Sequence, residues 1–324
     1  MGSSRSPSTD RARPGPCLVV AGPTASGKSR LALDAALEFD GVVINADSLQ
    51  VYRELRVLTA RPTAADEAQA PHRLFGVLAA AERCSAGRWL GLARAEIESA
   101  WSRNRLPIVV GGTGLYLEAL LRGLAPIPAI PAAATQAAED RWARIGGERF
   151  KADLVERDPS ASRLRPTDRQ RLVRAAAVLE ATGRPLSAWQ AEGRGETMAA
   201  RFATILLAPP REPLRDAIAA RFERMIEDGA LDEVRALRAL GLDPGLPAMK
   251  AVGLRELGRH LDGDLTLAEA CRQAAAASRR YAKRQMTWFR HRLPGAQAIY
   301  AQYSESLKDE IFSFIRRFLL TGPG

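Results

Sequence analysis

Gly22-Pro23-Thr24-Ala25-Ser26-Gly27-Lys28-Ser29 is the stretch whose reading fixes the fold. It follows an apolar run with strand character, Cys17-Leu18-Val19-Val20-Ala21. It opens onto a helical pattern, Ser29 to Phe39, that carries Leu31, Leu33, Ala35, Ala36 and Leu37. The run satisfies GxxxxGK[ST] in the strand–loop–helix setting that this pattern requires. Glycines let the backbone curl so that successive amide N–H groups point inward. The helix that follows adds its free N–H groups and the positive end of its dipole. The sequence therefore predicts that Gly22, Pro23, Thr24, Ala25, Ser26, Gly27, Lys28 and Ser29 cradle at least two linked phosphates. Lys28 supplies a cation for the outer phosphate, and Ser29 a hydroxyl for a magnesium ion (Mg2+). A glycine-rich turn with an exposed lysine explains the glycines but not the Lys28-Ser29 pair or its position. The loop does not say what carries the phosphates: most such loops hold ATP or GTP, a few hold other diphosphates.

Strand and helix signals alternate beyond the loop. Gly41-Val42-Val43-Ile44-Asn45 reads as a second strand. Ala86 to Arg103 reads as a helix, with Trp89, Leu92, Ala93, Ile97 and Trp101 on one stripe. Leu106-Pro107-Ile108-Val109-Val110 reads as a buried strand ending in Gly111-Gly112-Thr113-Gly114, where another helix starts. This is βαβ logic, so a parallel sheet with helices on both faces is expected. Pro126, Pro128 and Pro131 mark a break. The stretch 132–198 then reads as helical without a convincing strand, and strand character returns at Phe202–Leu207. Helices are expected from there to the end, including one over 212–228 and a long one that starts at the capping box Thr266-Leu267-Ala268-Glu269. The expected architecture is α/β, a P-loop NTPase-like core with a parallel sheet and an inserted all-helical subdomain. Residues 1–16 read as a disordered tail, 17–125 and 199–324 as the core, and 126–198 as the insertion.

Charge points to a partner class. Lys and Arg number 47 against 37 acidic residues among 324, a net charge of +10. Such a balance suits a polyanion, nucleic acid first, although Arg- and Ala-rich composition alone can produce it. Three scattered cysteines and three scattered histidines have no metal-site spacing and make a disulfide scaffold an unsuitable reading. The expected setting is reducing and cytoplasmic. No segment approaches a membrane span, and the Ser/Pro/Arg-rich start has no apolar stretch of a secretory signal.

Asp47, in Asn45-Ala46-Asp47-Ser48-Leu49-Gln50, falls just past a strand's C-terminal end, beside the phosphate loop. A carboxylate there can hold magnesium through water, act as a general base, or simply cap a helix. Thr113, in the second glycine-rich turn, can hydrogen-bond a phosphate or a base. Two basic clusters stand out: Arg163 to Arg174, and Arg279 to Arg290. In a helix, Arg280, Lys283, Arg284, Thr287 and His291 share a face, with Tyr281, Gln285 and Trp288 beside it. Cations can pair with a phosphate backbone and aromatics can stack on unpaired bases; a solvated helix face over a Trp288–Phe289 core is the plainer alternative.

Together these residues resemble the tRNA dimethylallyltransferase family. Gly22–Ser29 looks like its GPT[AG][ST]GK[ST] loop, and Asn45–Tyr52 with Thr59-Ala60-Arg61-Pro62 like its DS.Q.Y…GTAKP segment. Pro71–Leu74 is similar to PHRL, Val109–Tyr116 to VGGTGLY, and Asp168–Glu180 to D.QR..RALE. Lys250–Glu256 is similar to K.[IV]GY[RK]E, and Tyr281–Arg290 to YAKRQ.TWFR. Order and spacing hold from about residue 17 to 292. Leu254 stands where the family usually has Tyr, Arg61 where it has Lys, and Pro131–Thr135 replaces a D-P-x-x-R pattern, which leaves Arg141 as the insertion's substitute arginine. No zinc-finger tail follows, as in the family's bacterial branch.

The resemblance implies a reaction: transfer of a dimethylallyl group from dimethylallyl diphosphate to N6 of adenosine at position 37 of tRNAs reading codons that begin with U. It implies Asp47 as general base, with Thr24, Lys28 and Thr113 in the catalytic group and Arg221 beside the diphosphate. It implies tRNA contacts from Asp47, Ser48, Leu49, Gln50 and Thr113. Further contacts fall at Gln170, Arg171, Leu172, Val173 and Arg174, at Lys250, Ala251, Val252, Gly253, Leu254 and Arg255, and at Lys283, Arg284, Gln285, Trp288 and Arg290. The partners implied are the tRNA anticodon stem-loop and the prenyl diphosphate, with no membrane and a monomeric protein. A nucleotide or small-molecule kinase would use the same loop but gives no reason for the basic–aromatic helix. A prenyltransferase acting on free AMP or ATP would not need two basic clusters.

Overall fold

A computed structural model describes residues 14–195 and 197–321. The chain divides into two compact units, Met1–Leu121 with Met198–Gly324, and Arg122–Thr197.

The first unit is built on six strands, all parallel, in the spatial order β3-β2-β4-β1-β5-β6. In chain order these are β1 (Gly15–Ala21), α1 (Lys28–Glu38), β2 (Gly41–Asn45), α2 (Ala64–Gln69), β3 (His72–Arg73), α3 (Ala86–Ser102), β4 (Leu106–Gly111) and α4 (Gly114–Arg122). The alternation of strand side chains sorts them between two faces. Leu18, Val20, Val43, Ile108, Val110, Ile205 and Leu207 form one core with α1. α3 covers β2 and β4 with Trp89, Ala93 and Ile97, all fully buried and spaced by four. Ser85 caps α3 by accepting the Arg88 N–H at 3.1 Å.

The second unit contains α5 (Ala132–Arg157), which breaks at Gly146, then α6 (Arg169–Thr182) and α7 (Leu186–Ala191). Phe150, Leu154, Leu172, Val173, Ala176 and Leu179 form its core. Asp168 caps α6, accepting the Arg171 N–H.

The chain returns to the first unit through β5 (Ala200–Leu207), α8 (Arg211–Glu227), α9 (Ala230–Ala239), α10 (Leu254–Leu261), α11 (Leu267–Arg292), β6 (Gln297–Ile299) and α12 (Lys308–Leu320). The capping box at Thr266 and Glu269 forms with both hydrogen bonds. α12 adds Ile311, Phe312 and Ile315 to the α1 core. Among the described residues no helix is long and apolar enough to cross a membrane.

The sequence reading needs three corrections here. Residues 1–13 of the expected tail lie outside the described residues, but Gly15 and Pro16 already belong to β1 and pair with Ala200 and Arg201. The Trp101 indole lies over Gly15, and its N–H donates to the Pro16 carbonyl at 2.8 Å, which fixes this start. Helices do not fill the C-terminal part: β6 extends the sheet beside β5. The two-residue β3 lies likewise outside the strands the sequence predicts; strands of two and three residues have no periodicity to read.

Leu172 is fully buried in the helical unit while its neighbour Arg171 is exposed. Leu172→Ala is expected to cost about 2–5 kcal/mol through lost burial and a cavity, seen as a lowered unfolding transition of that unit. Arg171→Ala should leave the transition in place; equal effects of the two would contradict the burial.

Candidate active site

Three strand ends meet at one edge of the sheet: β1 runs into Gly22, β2 into Asp47, and β4 into Gly112-Thr113. Ligands of open parallel sheets lie at this carboxyl edge, where the strand order switches. The order β2-β4-β1-β5 puts such a switch beside β1.

The loop after β1 curls through two left-handed residues, Ala25 at φ 62° and Gly27 at φ 88°. Gly27 suits that conformation, and a Cβ there would also lie 2.9 Å from Tyr303. A distant segment props the loop from outside. The Ala25 carbonyl accepts from Gln302 Nε2 at 2.8 Å, and the Ser26 carbonyl accepts the Tyr303 N–H at 3.1 Å. The Tyr303 hydroxyl donates to Asp34 Oδ2 at 2.8 Å. Ser26 is fully buried and its Oγ has no partner. The cradle is narrower than the sequence predicts. The Thr24 N–H is spent on Gln285 Oε1 at 3.0 Å, and the Ser26 N–H faces the Pro23 carbonyl at 3.4 Å. The amides left for an anion are those that open α1, whose first N–H groups have no intrahelical acceptor.

The Lys28 ammonium donates to the Pro23 carbonyl at 3.2 Å. The residue is half-buried, and burial around the ammonium pushes its pKa down to about 8; Asp47 raises it and Arg221 lowers it further. Arg221 projects from α8, and its Nη2 donates to the Thr59 carbonyl at 3.1 Å. Its pKa too is lowered by burial, with Asp47 acting the other way. Two cations and one carboxylate thus sense one another across the loop.

Asp47 is no helix cap. It sits in a turn, with Oδ1 accepting the Leu49 N–H at 2.9 Å. Asn45 fixes it: the Asn45 Oδ1 accepts the Asp47 N–H at 2.8 Å, and Nδ2 donates to the Asp47 and Leu74 carbonyls. The Trp89 indole N–H in turn donates to the Asn45 carbonyl at 2.8 Å. Thr113 Oγ1 accepts the Ser48 N–H at 2.9 Å, which ties the end of β4 to the turn after β2. Gln50 donates to the Thr59 and Ala60 carbonyls and so shapes the same loop that holds Arg221.

α11 closes the site. Gln285, 6% exposed, accepts the Thr24 N–H and donates to the Gly112 carbonyl at 2.8 Å. Gly112 and Gly114 make that approach possible. A Cβ on Gly112 would come within 2.1 Å of Gln285 Nε2, and one on Gly114 within 2.4 Å of the Trp288 ring. The result is a narrow slot of about 60 Å³ with a mixed lining. Thr24, Asp47, Thr59 and Arg221 give polar walls. Leu58, Ile218, Phe222, Met225 and Val252 give an apolar one, and Ser278 and Tyr281 of α11 complete it. Burial raises the Tyr281 phenol above the usual tyrosine range, with Asp47 adding to the shift.

A profile of the IPP transferase family matches residues 50–292. The chain belongs to the IPP transferase family. The tRNA dimethylallyltransferase of Rhodospirillum centenum is 54% identical over 284 residues, covering 87% of this chain and 90% of that one. That of Parvibaculum lavamentivorans is 51% identical, covering 95% and 98%. Among solved structures, the tRNA isopentenylpyrophosphate transferase of Bacillus halodurans superposes with a TM-score of 0.67 at 31% identity, covering 94% of this chain and 96% of that one. A eukaryotic dimethylallyltransferase acting on tRNA superposes with a TM-score of 0.83 at 25% identity, covering 95% and 80%.

Among IPP transferase segments, sequence motifs do not separate surface from interior. In the helical unit Gln170, Arg171 and Arg174 are exposed on α6, whereas Leu172 and Val173 are buried and have no surface to offer RNA. Arg141 pairs with Asp153 at 2.8 Å. Lys250 and Arg255 are exposed, Val252 lines the slot, and Ala251, Gly253 and Leu254 are buried. Lys283, Arg284 and Arg290 are exposed; Gln285 is the internal strut described above, and Trp288 is half-buried over Gly114. Leu254 packs inside, so the hydroxyl that a tyrosine would carry there has no counterpart. Sequence reasoning missed Asn45, Trp89, Gln302 and Tyr303 as parts of the site. Only Asn45, adjacent to the Asp47 motif, carried a local signal.

Nuclear magnetic resonance titration of Lys28 in the unliganded protein is expected to give a midpoint near 8, as the depressed pKa requires. Added inorganic diphosphate should move it upward, because a nearby anion favours the charged amine. A midpoint near the ordinary 10.5 without ligand would contradict the site's burial.

Proposed function

We propose that the protein transfers a dimethylallyl group from dimethylallyl diphosphate to N6 of adenosine 37 in tRNAs reading codons that begin with U. The products are N6-(dimethylallyl)adenosine and diphosphate. The observation that carries this reading is the slot itself. It sets Arg221 and Asp47, whose charges Lys28 feels, beside a wall of Leu58, Ile218, Phe222, Met225 and Val252. A donor with a doubly phosphorylated head and a short apolar tail matches both halves; a nucleoside triphosphate matches only the first.

In this reading the head lies on the opening turn of α1, with Lys28 and Arg221 at its sides. Breaking the allylic C–O bond sends the electron pair onto the diphosphate, and these fixed positive groups stabilise the charge as it develops. The N6 lone pair forms the new C–N bond. Asp47, held by Asn45 and aimed into the slot, takes the proton that N6 loses. Thr113 keeps the Ser48 turn in register and presents its hydroxyl beside the acceptor base. The adenine reaches the slot by leaving the anticodon-loop stack.

The residues present fit magnesium held mainly by the ligand. Among the described residues no three His, Cys, Asp or Glu side chains converge on a metal position. The exposed Ser29 hydroxyl at the start of α1, joined by phosphate oxygens, gives the all-oxygen set this ion prefers. Bound there, the ion would add positive charge at the departing diphosphate.

Exposed Lys250, Arg255, Lys283, Arg284 and Arg290, and on α6 the exposed Gln170, Arg171 and Arg174, supply the RNA contacts. Phosphate contacts position the RNA and base contacts select it. We place the enzyme in the cytoplasm as a monomer; its three cysteines are free, as a reducing compartment keeps them.

Labelled dimethylallyl diphosphate incubated with unmodified tRNA, in magnesium without ATP, is expected to enter tRNA that has adenosine at position 37 and not tRNA that lacks it. No incorporation, with ATP hydrolysis by the same protein, would overturn the reading. Asp47→Asn is expected to lower kcat by about 10²–10⁴ while tRNA and diphosphate still bind. Full turnover in that variant would remove Asp47 as the base.

A further inference from the structure

α8 and α11 cross at a small apolar contact of Leu214, Ile218, Ala275 and Ala282. The active-site slot lies to one side of this crossing, and Ile218 reaches both it and a second, larger groove of about 440 Å³. Arg211 and Arg215 line that groove from α8; Arg279, Lys283 and Arg290 line it from α11. Its one acidic residue is Glu212. The apolar floor is Leu214, Ala282 and Met286.

The five cations come from two helices and line one concavity. Many of the chain's other arginines are neutralised: Arg141 by Asp153, Arg157 by Glu180, Arg184 by Glu192, Arg238 by Asp262. Among the described residues none of the five groove cations has a carboxylate within ion-pair distance; the surface pairs nearest in sequence are Arg292 with Glu118 and Arg259 with Asp264. Five unpaired cations facing one concavity repel one another, and an anion relieves that cost.

The length of the array selects the anion. From Arg279 to Arg290 the helix runs about 16 Å at 1.5 Å per residue. A free diphosphate would touch one end of it, whereas a nucleic-acid strand offers a phosphate at each step. The same stripe of α8 that begins at Arg211 and Arg215 continues through Ile218 to Arg221 in the slot. A strand lying in the groove therefore runs toward the reacting centre.

We propose that the groove between α8 and α11 holds the sugar-phosphate backbone of the tRNA outside the reacting loop, with Arg211, Arg215 and Arg279 as phosphate contacts. This rests on the tRNA reading above. The role is sequence-independent: the groove adds affinity and orients the strand, and takes no part in the chemistry.

The test is tRNA affinity across a salt series, with transfer assays on the same proteins. In Arg211→Gln/Arg215→Gln/Arg279→Gln the slope of log K against log salt should fall by about 2–3, or 0.7–0.9 per lost phosphate contact. tRNA affinity should weaken at least tenfold at moderate salt. The kcat at saturating tRNA and the KM for dimethylallyl diphosphate should stay at wild-type values. The matching lysine triple variant should keep the wild-type slope. Glu212→Lys should tighten tRNA binding and steepen the slope, a gain that misfolding cannot produce. Unchanged slope and affinity in the glutamine variant would overturn the proposal. So would a raised KM for the donor with tRNA affinity intact, the signature of a funnel for free diphosphate. A wild-type protein that neither binds nor prenylates tRNA would overturn the parent reading as well; wild-type activity beside unaffected variants overturns the groove alone.

Discussion

One side chain holds together parts of the chain that are far apart in sequence. The Gln285 amide accepts from the backbone of Thr24 and donates to the backbone of Gly112, at 3.0 and 2.8 Å, from within the core. It joins the loop after β1, the turn after β4 and the long helix α11. Removing the amide would strand the buried Gly112 carbonyl, at about 1–3 kcal/mol, and the half-buried Thr24 N–H. Everything around it is shaped to permit the contact. Gly112 and Gly114 leave room for Gln285 and Trp288, and Ala270, Ala274, Ala275 and Ala282 give α11 a low face that packs close. Because α11 is pinned there, Ser278 and Tyr281 become walls of the slot and Lys283 and Arg290 stay outside it.

The chemistry follows from how charge is distributed around that clasp. Lys28 and Arg221 lie where burial works against their charge, and Asp47 is the carboxylate that offsets them. A site in that condition gains when a diphosphate enters, since the anion restores what burial removed. The Leu49 amide holds the Asp47 carboxylate, Asn45 holds the Asp47 backbone, and Trp89 holds Asn45. In the proposed reaction this leaves the carboxylate to take the proton from N6. With the donor seated as proposed, the apolar wall opposite would exclude water from the allylic centre.

How much of this the sequence revealed depends on the range of the interactions involved. The phosphate loop, the strands from Cys17, Gly41, Leu106 and Phe202, and the Thr266 capping box all express local periodicity and local hydrogen bonding. They are present where the sequence places them. The two short edge strands, β3 and β6, take their conformation from the neighbours they pair with and leave no pattern of their own. The motif segments named the right stretches but not the right sides. Leu172, Val173 and Leu254 lie inside their helices' cores while Arg171, Arg174 and Arg255 lie outside, a difference that only packing decides. The family resemblance implies Gln285 as an RNA contact; its partners in the structure are 261 and 173 residues away. The same distance hid Gln302 and Tyr303, which brace the loop from the far end of the chain.

The central claim is that a loop of the kind that usually serves phosphoryl transfer here holds a leaving group for alkyl transfer. Dimethylallyl diphosphate carrying a heavy oxygen in the bridge between carbon and phosphorus distinguishes the two directly. The account predicts that after reaction with tRNA all of the heavy oxygen is in the released diphosphate, and that the RNA gains five carbons and no phosphorus. Phosphorus on the RNA, or heavy oxygen retained in a prenyl alcohol, would contradict it.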